Sequence, residues 1–532
     1  MTVSRSRIAG MLLVMVIDSP VVAQNGSTAP EAASSQRSRL LEEVIVTAQK
    51  REEASREVPI SLQAFGEEQL EARGVLDAAD LPTISAGLTV TSQLGYVSSF
   101  IRGIGTDAFL FADPSVVTYV DGVYFPVALS SIQDFGAVER IEVLKGPQGT
   151  LFGRNALGGA ISIVSRPPNL EEPEISFQTI ATRYDTSKSR LHMSVPLLDN
   201  LAVSSSLVYN QFDPVASGTS AGRPLGMSRD TGERARLIWD FTNWGTLDVG
   251  SLRQKNDGAG LVYGVNTQPS DLGASLGIES REMHRGANDI DLFSKTSMKT
   301  YFGSLLFSFA PLDIKVFASK QYVEINQNVD FDGSNEPIAA FQVDPLAGEI
   351  KTRELQFLSN TTTPFSDWLQ WIVGVYEFDS TAGFERGFFR LNSADAFLVP
   401  IVNMLPSSSL IPTGDINFSG LLSTDSLAFY TQVTADITDW ISITLGGRFQ
   451  EETRTLDEST AGVRYTDGSA DNYQEFRGLE DKTESFDPKV SLDFRPTWWW
   501  LGTEPLIYLS WQSATTSSTY NVVNLSDTPE LV

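Results

Sequence analysis

The 532-residue chain contains no cysteine and only two histidines, His192 and His284. Without cysteine there is no disulfide and no thiolate metal site, which suits passage through an oxidising compartment. Two histidines so far apart make no His/Cys cluster with ligand spacing, so neither a metal nor a heme cofactor is expected. Positive charge is scarce too: 39 Lys and Arg against 66 Asp and Glu leave a net charge of −27. That balance argues against nucleic-acid binding, which needs a basic face, and it reads as a solvated acidic surface. Beyond the N-terminus no run of 18 apolar residues occurs, so any passage through a bilayer would have to be made by strands closed into a barrel. There is no G-x-S-x-G elbow and no phosphate-binding P-loop, and no enzyme is expected.

What is present begins with a secretory pattern. Arg5 and Arg7 precede the apolar stretch 8–17, and Val21-Val22-Ala23 ends in small residues, so residues 1–23 read as a signal peptide. Residues 24–43 are mostly polar and read as a flexible linker. Val44, Ile45, Val46 and Thr47 form a β-branched run that stands as a portable strand, suited to adding to the open sheet edge of another protein. In 55–95 a strand entered at Pro59 ends at Gly66, a helix over 67–73 closes at Gly74, and a helical turn over 77–81 is stopped by Pro82.

The densest stretch lies between Phe100 and Pro168. It holds FIRGIG (100–105), YVDGVY (119–124) and VERIEVLKGPQGTLFGRNALGGAISIVSRPP (138–168). Glycines at 146, 149, 153, 158 and 159 mark positive φ or close backbone approach. Order, spacing and residues of these three segments resemble the plug domain of TonB-dependent outer-membrane receptors. The expected plug spans 49–168, and the 44–48 strand in front of it is similar to the family's TonB box.

After Pro168 the helical signals fade. Ile441, Ile443, Leu445, Gly447 and Phe449 alternate with Ser442, Thr444, Gly446, Arg448 and Gln450, giving period two with one apolar face. Similar patterns predict about thirteen strands in 169–532, each near the ten residues of a tilted membrane strand. Short links near 198–200, 242–245, 310–311, 361–367 and 438–439 alternate with long polar links at 212–232, 256–296, 326–350, 379–426 and 453–484. Tight turns on one side and long loops on the other are what an antiparallel membrane barrel predicts and a soluble sandwich does not. Tyr209, Trp239, Phe241, Trp244, Trp368, Trp371, Trp440 and Trp498 to Trp500 near strand ends suit interfacial girdles. The fold class expected is therefore mainly β, an α+β plug followed by a transmembrane antiparallel barrel, incomplete in this chain.

Further implications come from the resemblance. TRELQF (352–357) is similar to a barrel-strand motif of the family. Relatives continue with a glycine-rich run where this chain has QSATTSSTYN (512–521), and they carry 22 strands, so a truncated product is expected. The family implies an outer-membrane receptor in a Gram-negative bacterium, surrounded by outer-membrane lipids and importing a small-molecule ligand with TonB, ExbB and ExbD as partners. The default ligand is an iron–siderophore complex, with cobalamin, heme and saccharides used by relatives. A non-transporting remnant is the alternative, and a soluble secreted β-protein a third. Val44 to Thr47 are the expected TonB contacts. Arg102, Gly103, Asp121, Gly122, Gly146, Gly149, Gly153, Arg154, Gly158 and Gly159 are the expected plug and gating residues. Arg102 and Arg154 are expected to pair with inward wall carboxylates, Glu354 among them, because unpaired charge in a tight interface is costly.

Overall fold

A computed structural model describes residues 44–93, 96–106, 113–126, 136–181, 187–212, 217–218, 227–258, 285–286, 290–330, 339–391, 414–465, 470–496, 505–516 and 519–520. The signal and linker expectations, His284 and Trp498 to Trp500 lie outside the described residues.

The plug is built on a five-stranded mixed sheet. Its strands are β3 (Leu62–Gly66), β7 (Val116–Val120), β8 (Val123–Phe125), β9 (Val138–Lys145) and β10 (Gly159–Ser165), in the order β3-β9-β10-β7-β8. Beside it lie a two-stranded hairpin, β1 (Ile45–Val46) with β2 (Glu53–Ala54), and a three-stranded sheet of β4 (Leu88–Gln93), β5 (Tyr96–Ile101) and β6 (Ile104–Gly105). Short helices α1 (Glu67–Ala72), α2 (Leu81–Ile84) and α3 (Gly149–Phe152) complete it. Strand β9 lies inside the sheet between β3 and β10, and nearly all of VERIEVLK is buried. Pro82 does not stop a helix but sits in the first turn of α2, where its missing N–H costs nothing.

The wall is one antiparallel sheet of thirteen strands. They are β11 (Glu174–Ala181), β12 (Ser187–Leu198), β13 (Leu201–Phe212), β15 (Ser228–Thr242), β16 (Gly245–Gly258), β18 (Phe293–Phe309), β19 (Leu312–Asp330), β20 (Ala339–Ser359), β21 (Leu369–Leu391), β22 (Gly414–Thr438), β23 (Ile441–Tyr465), β24 (Ala470–Phe494) and β25 (Ile507–Gln512). A separate two-residue pair, β14 (Ser217–Gly218) with β17 (Arg285–Gly286), lies outside that sheet. Neighbours follow chain order throughout, and β11 and β25 are not paired with one another.

Register explains which face meets lipid. Trp239, Leu247, Leu305, Val316, Leu355, Val375, Phe429, Phe449 and Phe486 stand opposite one another in succession across nine strands. Phe429 and Phe486 are 52% and 63% exposed. This row is an apolar belt on the outer face, and a one-residue slip in any strand would turn it inward. Aromatic side chains cluster at the tight turns below it: Trp244 stacks on Phe309 at 5.2 Å, and Trp440 meets Phe494 edge-on at 5.3 Å. Towards the opposite end the outer face turns charged, with Lys320–Glu349 at 3.1 Å, Arg353–Glu377 at 2.8 Å and Lys482–Glu451 at 2.7 Å. Such exposed pairs add little stability each, but they mark where the outer face is wet.

The short links fall where expected. The long ones at 326–350, 379–426 and 453–484 do not, because much of each is strand. β22, β23 and β24 have 25 residues each, about 80 Å of chain at the strand rise, well beyond what a bilayer crossing needs. Beyond the belt the outer face turns charged while the inner face buries aromatic and aliphatic side chains, among them Phe341, Ile350, Phe384, Phe418 and Leu456.

Phe429→Lys is expected to destabilise the wall by about 2–4 kcal/mol, the cost of a cation on a lipid-facing site near the bilayer midplane. Unfolding from lipid vesicles in urea measures it.

Candidate functional site

The plug meets the inner face of the wall through its turns. Asp121 and Gly122 form the two-residue turn between β7 and β8, both with positive φ (50° and 81°), as an Asp-Gly hairpin requires. The Asp121 carboxylate accepts from Ser165 N at 2.8 Å and Ser165 Oγ at 2.9 Å, and it stands 3.8 Å from the wall's Arg236. Gly153 is at φ 82°, and a Cβ there would come within 2.8 Å of the Arg448 guanidinium. That wall arginine lies over the rings of Tyr376 and Tyr430, 5.3 and 5.8 Å from their centroids.

Next to it is the main charge cluster. Arg154, on the plug, pairs with Asp113 and lies 3.2 Å from the wall's Glu452. Arg454 of the wall pairs with the same Asp113 and with Glu452 at 2.7 Å. Two guanidinium groups thus alternate with two carboxylates, and Arg154 also lies over Phe378 at 4.7 Å. Glu452 and Arg454 are almost wholly buried. Burial alone would raise the Asp113 carboxyl, but Arg154 and Arg454 outweigh it and hold it at about 2. The arrangement is a neutral, desolvated tie between plug and wall, the form in which buried charge is tolerable.

The 44–51 segment is tied to both bodies. Ile45 and Val46 pair antiparallel with Ala54 and Glu53, and Val46 is fully buried while Ile45 is exposed. Thr47 donates to Glu142 from its backbone N at 2.9 Å and from Oγ1 at 3.2 Å. Arg140 braces Glu142 at 2.9 Å. Lys50 reaches Glu354 on the wall at 3.2 Å, and Glu354 also accepts from Tyr430 at 2.6 Å. Arg51 donates to Ser359 O at 2.8 Å, and Gln432 to Gln49 at 2.7 Å. The portable strand of the sequence reading is therefore held in a small hairpin, half covered by the plug.

Of the expected ion pairs, Arg154 does reach an inward wall carboxylate, but it is Glu452. Glu354 takes Lys50 instead. Arg102 meets no wall carboxylate among the described residues: exposed and at φ 53°, it donates to Ser61 Oγ at 2.8 Å. Burial, and after it the Arg102 charge, pushes the nearby Lys145 ammonium down. Gly103 and Gly146 also adopt positive φ (81° and 96°). Gly158 lies so close to Ile104 that a Cβ would come within 2.7 Å of its carbonyl oxygen, and one on Gly159 would overlap Leu144 O. The reading of sequence missed Lys50, Asp113, Arg448, Glu452 and Arg454. A signal for three of them existed: Arg448, Gln450, Glu452 and Arg454 recur at period two, the inward face of one strand.

A sequence model of the TonB-dependent receptor plug domain matches residues 54–160. The pesticin receptor of Yersinia pestis is 32% identical over 196 residues, covering 36% of this chain and 29% of that protein. The iron-regulated outer membrane virulence protein of Vibrio cholerae is 27% identical over 180 residues, covering 32% of this chain and 27% of that protein. These matched stretches span less than a third of either relative. In structure, the chain is similar to the ferric yersiniabactin uptake receptor FyuA from Yersinia pestis, with a TM-score of 0.72 at 17% identity over 89% of this chain and 67% of that one.

Asp113→Asn is expected to loosen the plug by about 3–5 kcal/mol, because it leaves two buried arginines facing one carboxylate. Protease protection of the plug in increasing urea reads this loss. The pH dependence follows from the depressed carboxyl. Its contribution, about 2 kcal/mol for a fall from 3.8 to about 2, is complete above pH 4 and is lost as pH falls through 2. The Asn variant should show no such step.

Proposed function

We propose that the chain is an outer-membrane receptor that imports a scarce small ligand by displacement of its plug, a reading supported by the plug-domain match over 54–160 and by the shared fold. The observation that carries this reading is the 44–47 strand, held by a two-residue ladder and by Thr47 on Glu142 and followed at once by ties to the wall. A strand stored this way can be freed by a small shift of its neighbours and then added to a partner's sheet edge. TonB, energised by ExbB and ExbD, is the partner proposed, with outer-membrane lipids against the apolar belt. Ligand held on the outer side moves the plug turns, the strand is released, and traction on it draws the plug away from the wall.

An iron chelate of the siderophore type is the ligand favoured, supported by the iron-related names of the similar proteins. Cobalamin, heme and saccharides are the other ligand classes to be tried. A second reading, a plug-bearing wall that does not transport, is favoured by one observation: strands β11 and β25 are not paired with one another.

Uptake of a panel of labelled iron chelates by cells carrying the chain tests the proposal. Val46→Pro is expected to abolish uptake while leaving binding at the cell surface within about twofold, since proline removes the N–H that strand addition needs. Uptake by the proline variant equal to the parent would sink the reading. Binding without uptake by the parent chain itself would favour the non-transporting one.

A further inference from the structure

Gly149 poses a problem that its own backbone does not solve. The plug glycines at 103, 122, 146, 153 and 159 take positive φ, whereas Gly149 does not. What forbids a side chain there is a neighbour. A Cβ on Gly149 would come within 2.5 Å of Ser513 O and 2.8 Å of Ala514 Cα. The chain that leaves β25 therefore turns off the wall and crosses directly over α3 of the plug.

Its attachments are specific. Ser513 N donates to Pro488 O at 3.1 Å. Ser513 Oγ and Thr515 Oγ1 both donate to Asp487 Oδ1, at 3.1 and 2.8 Å. On the plug side, Asn155 N donates to Thr515 O at 3.2 Å, and Thr150 Oγ1 donates to the backbone carbonyl of Asp487 at 3.3 Å. Asp487 is nearly fully buried and belongs to β24. One wall residue thus holds the crossing segment by its carboxylate and the plug by its carbonyl. A buried carboxylate satisfied by two hydroxyls has a strong preference for keeping them.

We infer that Ser513–Thr515 is a clasp: it seats the Gly149–Asn155 turn of the plug against the wall, with Asp487 as its anchor and Gly149 as the smooth surface it needs. That the clasp must part before this turn can move rests on the import reading above.

The absence of native cysteine makes the test direct. Ala514→Cys introduces a single thiol, which is expected to react slowly with a maleimide in detergent-solubilised protein. Adding Ser513→Ala and Thr515→Val, which delete both donors and little volume, should speed that reaction at least tenfold. Gly149→Val, which intrudes on the clasp from the plug side, should do the same. Thr362→Cys, made separately in an exposed turn, serves as the fast standard. Its rate should be unchanged by either alteration, and unchanged heat-modifiable migration on gels shows that the wall is folded. If the thiol at position 514 reacts as fast as the one at position 362 in the otherwise unaltered chain, or if neither alteration changes its rate, the clasp is overturned. The reading needs no uptake: a chain that imports no chelate would overturn the import proposal and leave this one standing.

Discussion

A folded plug inside a wall of strands takes charge out of water, and the structure depends on how that charge is matched. Arg154, Asp113, Glu452 and Arg454 answer it with a closed alternation of opposite charges drawn from both bodies. Any one of them alone would be a severe penalty in a desolvated seam. Together they are a geometric key, since only one placement of the plug brings all four into contact. Lys50 with Glu354 and Asp121 near Arg236 repeat the principle on a smaller scale.

The wall can receive such a plug because its strands separate two environments at every residue. One register row, from Trp239 to Phe486, is apolar and faces out; the next positions along β23, Arg448, Gln450 and Glu452, are buried against polar partners. Strand geometry supplies this separation at no extra cost, because successive side chains point to opposite faces. The same property links lipid and lumen: a register shift that spoiled the belt would also pull the ion cluster apart.

Period two made the wall legible in the sequence wherever the outer face meets lipid, as in 441–449. It failed beyond the belt, where the outward positions of β23 become charged and hydroxyl-bearing and the stretch from 453 on reads as loop, although Leu456 and Ala461 are buried on its other face. The plug was legible through its motif block, which also carries Asp121 and Gly122. The pairing of charges was not. Glu354 stands inward on the wall, yet its partner is Lys50, about 300 residues away in sequence, and no local pattern distinguishes Lys50 from Arg102 or Arg154. Gly149 looked like its neighbours in the glycine-rich block, whereas its need for glycine comes from residues 513–514, far along the chain.

The ties between plug and wall differ in kind, and the difference has a direction. At 44–48 the chain is held by a two-residue ladder, with contacts of about 1 kcal/mol each, and by two bonds from Thr47 to the Glu142 carboxylate, about 1.5–3 kcal/mol each, all of which can be broken singly. Gln49, Lys50 and Arg51 then bind the wall itself. The four-charge cluster is cooperative, because removing one member leaves the others unmatched. Under the proposed function, traction at Val44 to Thr47 would therefore peel the weakest contacts first and load the wall contacts of 49–51 next, reaching the cluster last. A gate ordered in this way yields its handle easily while its seat stays closed, so that holding the strand ready and keeping the lumen sealed do not compete for the same interactions.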